Sequence, residues 1–340
     1  MSILTQPTTF SDLYNDLMSR ARVDANQSIN SQSAKKLINT ALFDMHLGNG
    51  EKFAWCERNA RLLTQAPYST GTVTISQGSA SLTGSGTAWN TVNAFGVKNL
   101  RAGGRIVLPG DDTVYEVDSV SSDTALTLTD AFRGESLSAE TYSYFEDEYD
   151  LAKDFLRPLD KTRFDARGEI EVMDRREFRR RFTVYAAPGN VVCAAIFDAP
   201  FSGDTTPRRR VRFFRPPSEA RYVPYAYVTA NLAVTSAGVE QTQLVSDDDE
   251  PIVPLYARHL IVLKALEHWY RDKKNDARSQ LVQDEYGDGI ARLLTAVEVG
   301  AQHPTLSPRV HSYQRKARSP YKGGRSRRFT TGNTFDEFRE

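Results

Sequence analysis

The side chains able to do chemistry are few and scattered. The 340-residue chain holds five histidines and two cysteines. His259 and His268 lie nine positions apart, which does not put both on one helix face at metal-ligand spacing. Each reads as a packed or capped imidazole. Cys56 and Cys193 make neither a zinc pattern nor a disulfide framework and read as two small buried thiols. The acidic run Asp247-Asp248-Asp249-Glu250 lacks the spaced oxygens and the sharp-turn glycine of a calcium loop. It reads as a solvated helix start. Gly84-Ser85-Gly86-Thr87 has neither the order of a nucleophile elbow nor a following Gly-Lys-Ser/Thr, and reads as a turn between strands. No pair of carboxylates stands apart from ordinary surface charge. The expectation is a protein without catalytic residues, cofactor or metal.

Charge carries more information. Lys plus Arg and Asp plus Glu are both 43, so the chain is neutral, which argues against a general nucleic-acid binder. The balance is uneven along the chain. Residues 301–330 hold eight bases and no acid. Residues 301–340 hold nine bases and three acids, which leaves the first 300 residues with an excess of six acids. In this tail Arg309, Arg315, Lys316, Arg318, Lys322, Arg325, Arg327 and Arg328 are interleaved with Tyr313, Tyr321 and Phe329. Arginine with aromatic anchors is the composition of protein-docking hot spots, and these residues are the candidate partner-binding set. Two further basic clusters, Arg175–Arg181 and Arg208-Arg209-Arg210, fit either phosphates or acidic faces of neighbouring subunits. The acidic remainder of the chain favours subunit contacts.

The chain is organised around Pro254–Val299, which reads as two consecutive helices. Leu255, His259, Val262, Leu263, Leu266 and Tyr270 recur at helical spacing, as do Val282, Tyr286, Ile290, Leu293, Leu294 and Val297. Asp276 is placed to cap the second. Each helix has one apolar stripe and needs a partner. The N-terminal third supplies one: Phe10–Arg22 capped by Thr9, then a helix from Ser31 or Ser33 to about Leu47, stopped by Gly48-Asn49-Gly50. From Gly71 to Phe145 six short alternating segments with turn chemistry between them indicate a small β-sandwich or barrel. Trp89 and Tyr115 within it offer either core filling or a platform for stacking on a glycan. Further strands are expected near 168–172, 190–197, 208–214 and 222–234, with Pro224 forcing an edge or a bulge in the last, and a short basic helix over 174–182. The predicted fold is α+β: a helical-bundle body with an antiparallel sheet, an inserted β module and an extended C-terminal tail. Its parts are 1–69, the N-terminal helical part; 70–145, the inserted module; 146–300, the sheet and helical pair completing the body; and 301–340, the basic tail. Neither a signal peptide nor a run of about 18 uncharged apolar residues is present.

The segment GTVTISQGSASLTGSGTAW (Gly71–Trp89), followed by AGGRIVLPGDDTVYEVDSVSSDTALTLT (Ala102–Thr129), resembles a small β module recurrent in virion proteins of tailed bacteriophages. Its setting, with helices before it, a sheet and a helical pair after it and a loose basic tail, resembles head-to-tail adaptor (connector) proteins. The resemblance implies a ring, commonly of twelve subunits, beneath the portal in the neck of the virion, assembled in the host cytoplasm. It implies self-association, portal binding through the tail, contact with tail or nozzle proteins, passage of genomic DNA without specific recognition, no membrane partner and no catalysis. The alternative is a tail-side structural protein, such as a tail terminator, tube or fibre-attachment component.

Overall fold

The computed structural model describes residues 6–23, 28–49, 53–199 and 208–301. The candidate docking residues Arg309–Phe329 lie outside them. The described chain is mixed α+β. It opens with α1 (Phe10–Ala21) and α2 (Ser28–Asn49). Then come β1 (Glu57–Leu63), β2 (Thr72–Ile75), β3 (Ser81–Ser85), β4 (Arg105–Val107), β5 (Val114–Val120), β6 (Ala125–Leu128), β7 (Leu137–Glu140), β8 (Ser143–Phe145), β9 (Glu148–Asp150) and β10 (Phe155–Pro158). After β11 (Glu171–Val172) and α3 (Arg175–Arg181) follow β12 (Cys193–Ala199), β13 (Arg208–Phe214) and β14 (Tyr222–Thr229). The short β15 (Ala233–Val234), β16 (Glu240–Gln241) and β17 (Glu250–Pro251) precede α4 (Arg258–Asp272) and α5 (Asp276–Ala301). Two compact units result, one from residues up to Met45 and from Pro254 on, the other from His46 to Val253.

The first unit is helical. Thr9 caps α1 by accepting the Asp12 N–H at 3.3 Å, while the Asp12 carboxylate takes the Thr9 N–H at 3.1 Å, so two orphan donors are satisfied reciprocally. α1 and α5 both pack on α4. In α4, Leu260–Leu263, Ala265, Leu266 and Trp269 are all buried, so this helix is covered around most of its circumference. Leu255, expected on its apolar stripe, lies exposed in a short 3₁₀ turn before it. α5 is capped by Asn275, whose Oδ1 accepts the Arg278 N–H at 3.2 Å, one residue earlier than the Asp276 expected. α2 starts at Ser28, so Ser31 and Ser33 lie inside it rather than at its cap; the Ser31 hydroxyl donates back to the Ser28 carbonyl.

In the second unit the expected β module is one antiparallel sheet of order β7-β2-β3-β6-β5-β4-β8, curled into a half-barrel. All six expected strands are present. β7 is an addition, hidden in the sequence because its residues are mostly exposed and Ala139 has a left-handed φ of 56° that breaks the alternation. Val73, Ile75, Leu82, Tyr115, Val117, Leu126 and Leu128 point into the core around Trp89. Gly84 is required there: a Cβ would stand 2.8 Å from Cη2 of Trp89. Trp89 donates its indole N–H to the Tyr142 hydroxyl at 2.8 Å, and the rings meet edge to face. Trp89 and Tyr115 are 0% and 2% exposed, so neither is a platform for sugar stacking.

The same unit holds three more sheets, of orders β1-β14-β10, β11-β12-β13-β9 and β16-β15-β17. β14 is central, not an edge as Pro224 had led us to expect. The reason is local. β10 pairs with β14 only as far as Tyr227, and the Pro224 carbonyl accepts the Ala166 N–H on that same side. The nitrogen of Pro224 therefore faces a stretch where no ladder bond is needed. Glu57–Leu63, expected within the helical part, is the outer strand beside it. The acidic run is not a helix start: Asp249 is buried and accepts the N–H groups of Val245 and Ser246, both at 2.7 Å, folding the loop before β17.

The packing of Trp89 gives a measurable expectation. Trp89→Ala removes a fully buried ring and costs about 3–5 kcal/mol. Tyr142→Phe strands the indole N–H and costs about 1–3 kcal/mol. Urea unfolding followed by fluorescence checks both; a Trp89→Ala midpoint equal to wild type contradicts the core assignment.

Candidate functional site

The densest polar construction among the described residues is where the chain leaves the β module. β8 and β9 are joined by only two residues, Glu146 and Asp147, and both are buried carboxylates. A buried carboxylate must be paired and hydrogen-bonded. Glu146 is held by Arg101 through both guanidinium ends, Nε at 3.0 Å, and by the Tyr144 hydroxyl at 2.6 Å. Asp147 sits between two arginines from different sheets. Arg105 Nε of β4 donates to one oxygen at 3.2 Å and Arg212 Nε of β13 to the other at 2.6 Å. Arg105 also reaches Glu116 at 3.0 Å and Glu148 at 3.4 Å. The Tyr185 ring lies 5.6 Å from the Arg105 guanidinium and 4.9 Å from that of Arg212, so one aromatic face serves two cations. Burial alone would lower the Arg105 pKa; the negative charge of Asp147, with Tyr185, Glu148 and Glu116, outweighs it and drives the net shift upward.

Beside this junction opens a cleft of about 730 Å³. Arg61, Leu62 and Leu63 of β1 form one wall, and Arg101–Gly104 with Glu116–Asp118 of the module form another. Glu146 and the β9 residues Glu148, Tyr149 and Asp150 line it further, with Arg210. Five carboxylates, those of Glu116, Asp118, Glu146, Glu148 and Asp150, stand against the three guanidiniums of Arg61, Arg101 and Arg210. Counted with the buried Asp147 and with Arg105 and Arg212, which pair with Glu116 and Glu148 behind the lining, six carboxylates meet five guanidiniums, an excess of one acid. Close by, the Arg61 guanidinium lies 5.3 Å over the exposed Tyr222 ring, which meets the exposed Phe95 edge to face at 6.5 Å.

The two basic clusters are partly spent inside the chain. Arg175 pairs with Asp198 at 3.1 Å, Arg209 pairs with the same carboxylate, and Glu177 takes Arg180 and Arg181 at 3.2 Å each. Arg179 lies 4.9 Å over the Phe197 ring, and Arg210 pairs with Asp150 at 2.7 Å. The pairs on α3 are mostly exposed and contribute little to stability. α3 itself is the expected basic helix, capped by the Asp174 carboxylate.

His46 and Cys56 do meet. The His46 Nε2 lies 2.7 Å from the Thr229 carbonyl, which can only accept, so Nε2 carries the proton and Nδ1 accepts from the Cys56 thiol at 3.3 Å. This is not an activated nucleophile. Burial pushes the Cys56 thiol up to about 12 and pulls the His46 imidazole down. His268 accepts from Arg271 at Nδ1 and donates its Nε2–H to Asp44 at 3.0 Å, and His259 has a buried Nδ1 without a hydrogen-bond partner among the described residues. Among the described residues no group of three or more His, Cys, Asp or Glu could hold a metal ion, and no helix is long and apolar enough to cross a membrane.

Sequence reasoning missed the junction and the cleft. A signal was present: the acidic EDEYD at 146–150 and the basic RRRVRFF at 208–214 are complementary alternating strands, and they pair as Glu148 opposite Arg212 and Asp150 opposite Arg210. No protein-family model matches the chain, and no curated protein sequence matches it.

Two expectations follow from this geometry. Asp147→Asn leaves two guanidiniums without their shared charge and costs about 3–5 kcal/mol, whereas Glu116→Gln at an exposed carboxylate costs less than about 1 kcal/mol; equal unfolding midpoints for the two variants refute the ranking. His46 is neutral when folded and protonates more readily when unfolded. The unfolded chain then binds the extra proton, so stability falls as pH falls below about 6.5, and His46→Gln flattens that slope in unfolding measured between pH 7.5 and 5.

Proposed function

We propose that this protein is a structural component of a tailed-bacteriophage virion, a head-to-tail adaptor without catalytic activity. Its subunits close a ring, a dodecamer, beneath the portal and join capsid to tail. The helical unit is the ring body, the β module faces tail or nozzle proteins, and the basic tail docks on the portal. Genomic DNA passes through the channel without being read.

The observation that carries this reading is the β module. The residues with the virion-module resemblance, Gly71–Trp89 and Ala102–Thr129, fall in one sheet with its own core. In the sequence the module falls within residues 46–253, and the segments before and after them make one compact unit, which fits a body interrupted by an insertion. A neutral chain that separates an acidic body from a basic tail fits head-to-tail contacts in a closed ring.

Cryo-electron microscopy of the protein mixed with the portal protein of its own phage tests the reading. The expected image is a twelve-fold ring on the narrow end of the portal, with density for residues after Gly300 on portal subunits. A chain ending at Gly300 keeps its circular dichroism spectrum and no longer docks. A full-length protein that ignores the portal and binds tail proteins instead overturns the adaptor assignment in favour of a tail-side component.

A further inference from the structure

We infer that the acidic cleft beside β1 is a strand-docking site that receives residues 309–319 of a second copy of this chain, an inference that rests on the ring reading above. The edge of β1 is open. In the β1–β14 ladder Arg61 stands opposite Pro224, whose carbonyl points away from β1 to the Ala166 N–H. That pair therefore exchanges no ladder bonds, and the N–H and C=O of Arg61 point outward. By two-residue alternation those of Asn59 do the same. Among the described residues no group bonds them. An unpaired edge is a template for another strand, and here it borders a cleft walled on the far side by the module.

The occupant is set by charge and by backbone. With Arg105, Arg212 and Asp147 counted, the site has one more carboxylate than it has guanidiniums, and Asp118 is the lining carboxylate with no ion pair among the described residues. It calls for an extended, basic segment. Residues 309–319, Arg-Val-His-Ser-Tyr-Gln-Arg-Lys-Ala-Arg-Ser, carry four bases and no acid. They lie between Pro308 and Pro320, so every backbone N–H that a ladder needs is present within them. Val310 and Tyr313 favour strand, and Tyr313 suits the surface made by Arg61, Tyr222 and Phe95. Residues 302–340 span at most about 130 Å when extended, enough for 309–319 to engage one neighbour while Tyr321 and the residues beyond reach the portal. Repeated around a ring, the same contact is heterologous and closes on itself.

Disulfide trapping in the full-length protein tests this. Arg61→Cys in one preparation and Tyr313→Cys in another are mixed and oxidised, and a chain carrying both substitutions is oxidised alone; the native thiols are buried. The expected product is a disulfide-linked pair of chains, absent when Ser312→Pro is added to the Tyr313→Cys chain. In wild-type protein the Arg61 amide exchanges about tenfold slower or more than in Ser312→Pro. Oligomeric mass by light scattering is read alongside. A ring that forms with no cross-link and a freely exchanging Arg61 overturns the inference and leaves the adaptor reading standing. A cross-link confined to chains carrying both cysteines overturns the second-copy assignment, since the segment then docks on its own chain. A protein that stays monomeric at all concentrations removes both.

Discussion

The second unit depends on one buried carboxylate. Asp147 lies in a two-residue link, and its two oxygens are claimed by arginines of two sheets, Arg105 on β4 and Arg212 on β13. Desolvating three charged groups is costly, and the site is tolerable only because each has a partner and Tyr185 covers both cations. Glu146, the other residue of the link, is clamped with equal care by Arg101 and Tyr144. A pair of apolar residues here would pack as well but would tolerate several orientations of the strands they connect. Charged groups with fixed hydrogen-bond directions tolerate few. The link thus fixes the path of the chain from β8 into β9, and with it the walls of the acidic cleft.

How much of this was legible in the sequence follows from how local each signal is. The Thr9 cap, the short basic helix α3 and the six strands of the module rest on neighbouring residues, and they were read correctly. β1 was missed because Glu57-Arg58-Asn59-Ala60-Arg61 has no apolar alternation; the strand exists only because β14 supplies a ladder for it. Pro224 was misjudged for the opposite reason. The rule against proline in a central strand assumes neighbours along the whole length, and β10 ends before reaching it. The acidic run was assigned to a helix start on charge alone, whereas Asp249 spends its oxygens on the backbone of its own loop.

The candidate site was less legible than the fold, because a site here is a matter of which charges remain after pairing. Arg175–Arg181 looks like a phosphate-binding helix in one dimension. In three, Asp198, Glu177 and the Phe197 ring engage most of it. Conversely, the carboxylates of the cleft come from 116–118 and 146–150, and only the topology gathers them against β1. The same holds for His46 and Cys56, ten residues apart, whose contact reads as a catalytic pair until burial is taken into account.

The open edge of β1 is the feature least explained by the needs of a monomer. Edge strands in monomers are kept short, bulged, covered or charged. β7 follows that practice with a left-handed residue at Ala139, and β11 is only two residues long. β10 follows it too, since the Leu156 carbonyl is taken by Arg209 at 2.7 Å. β1 is seven residues long, regular along its whole pairing with β14, and uncovered on its outer side among the described residues. Its charged side chains give partial protection, but Arg61 is turned onto Tyr222 and away from the role of a gatekeeper. A chain that blunts β7, β10 and β11 and leaves this edge beside an acidic cleft keeps it for a strand from elsewhere. Besides the stretch that forms β13, the chain carries a basic, proline-bracketed stretch at 309–319, and in a closed ring each copy can give that stretch to the next.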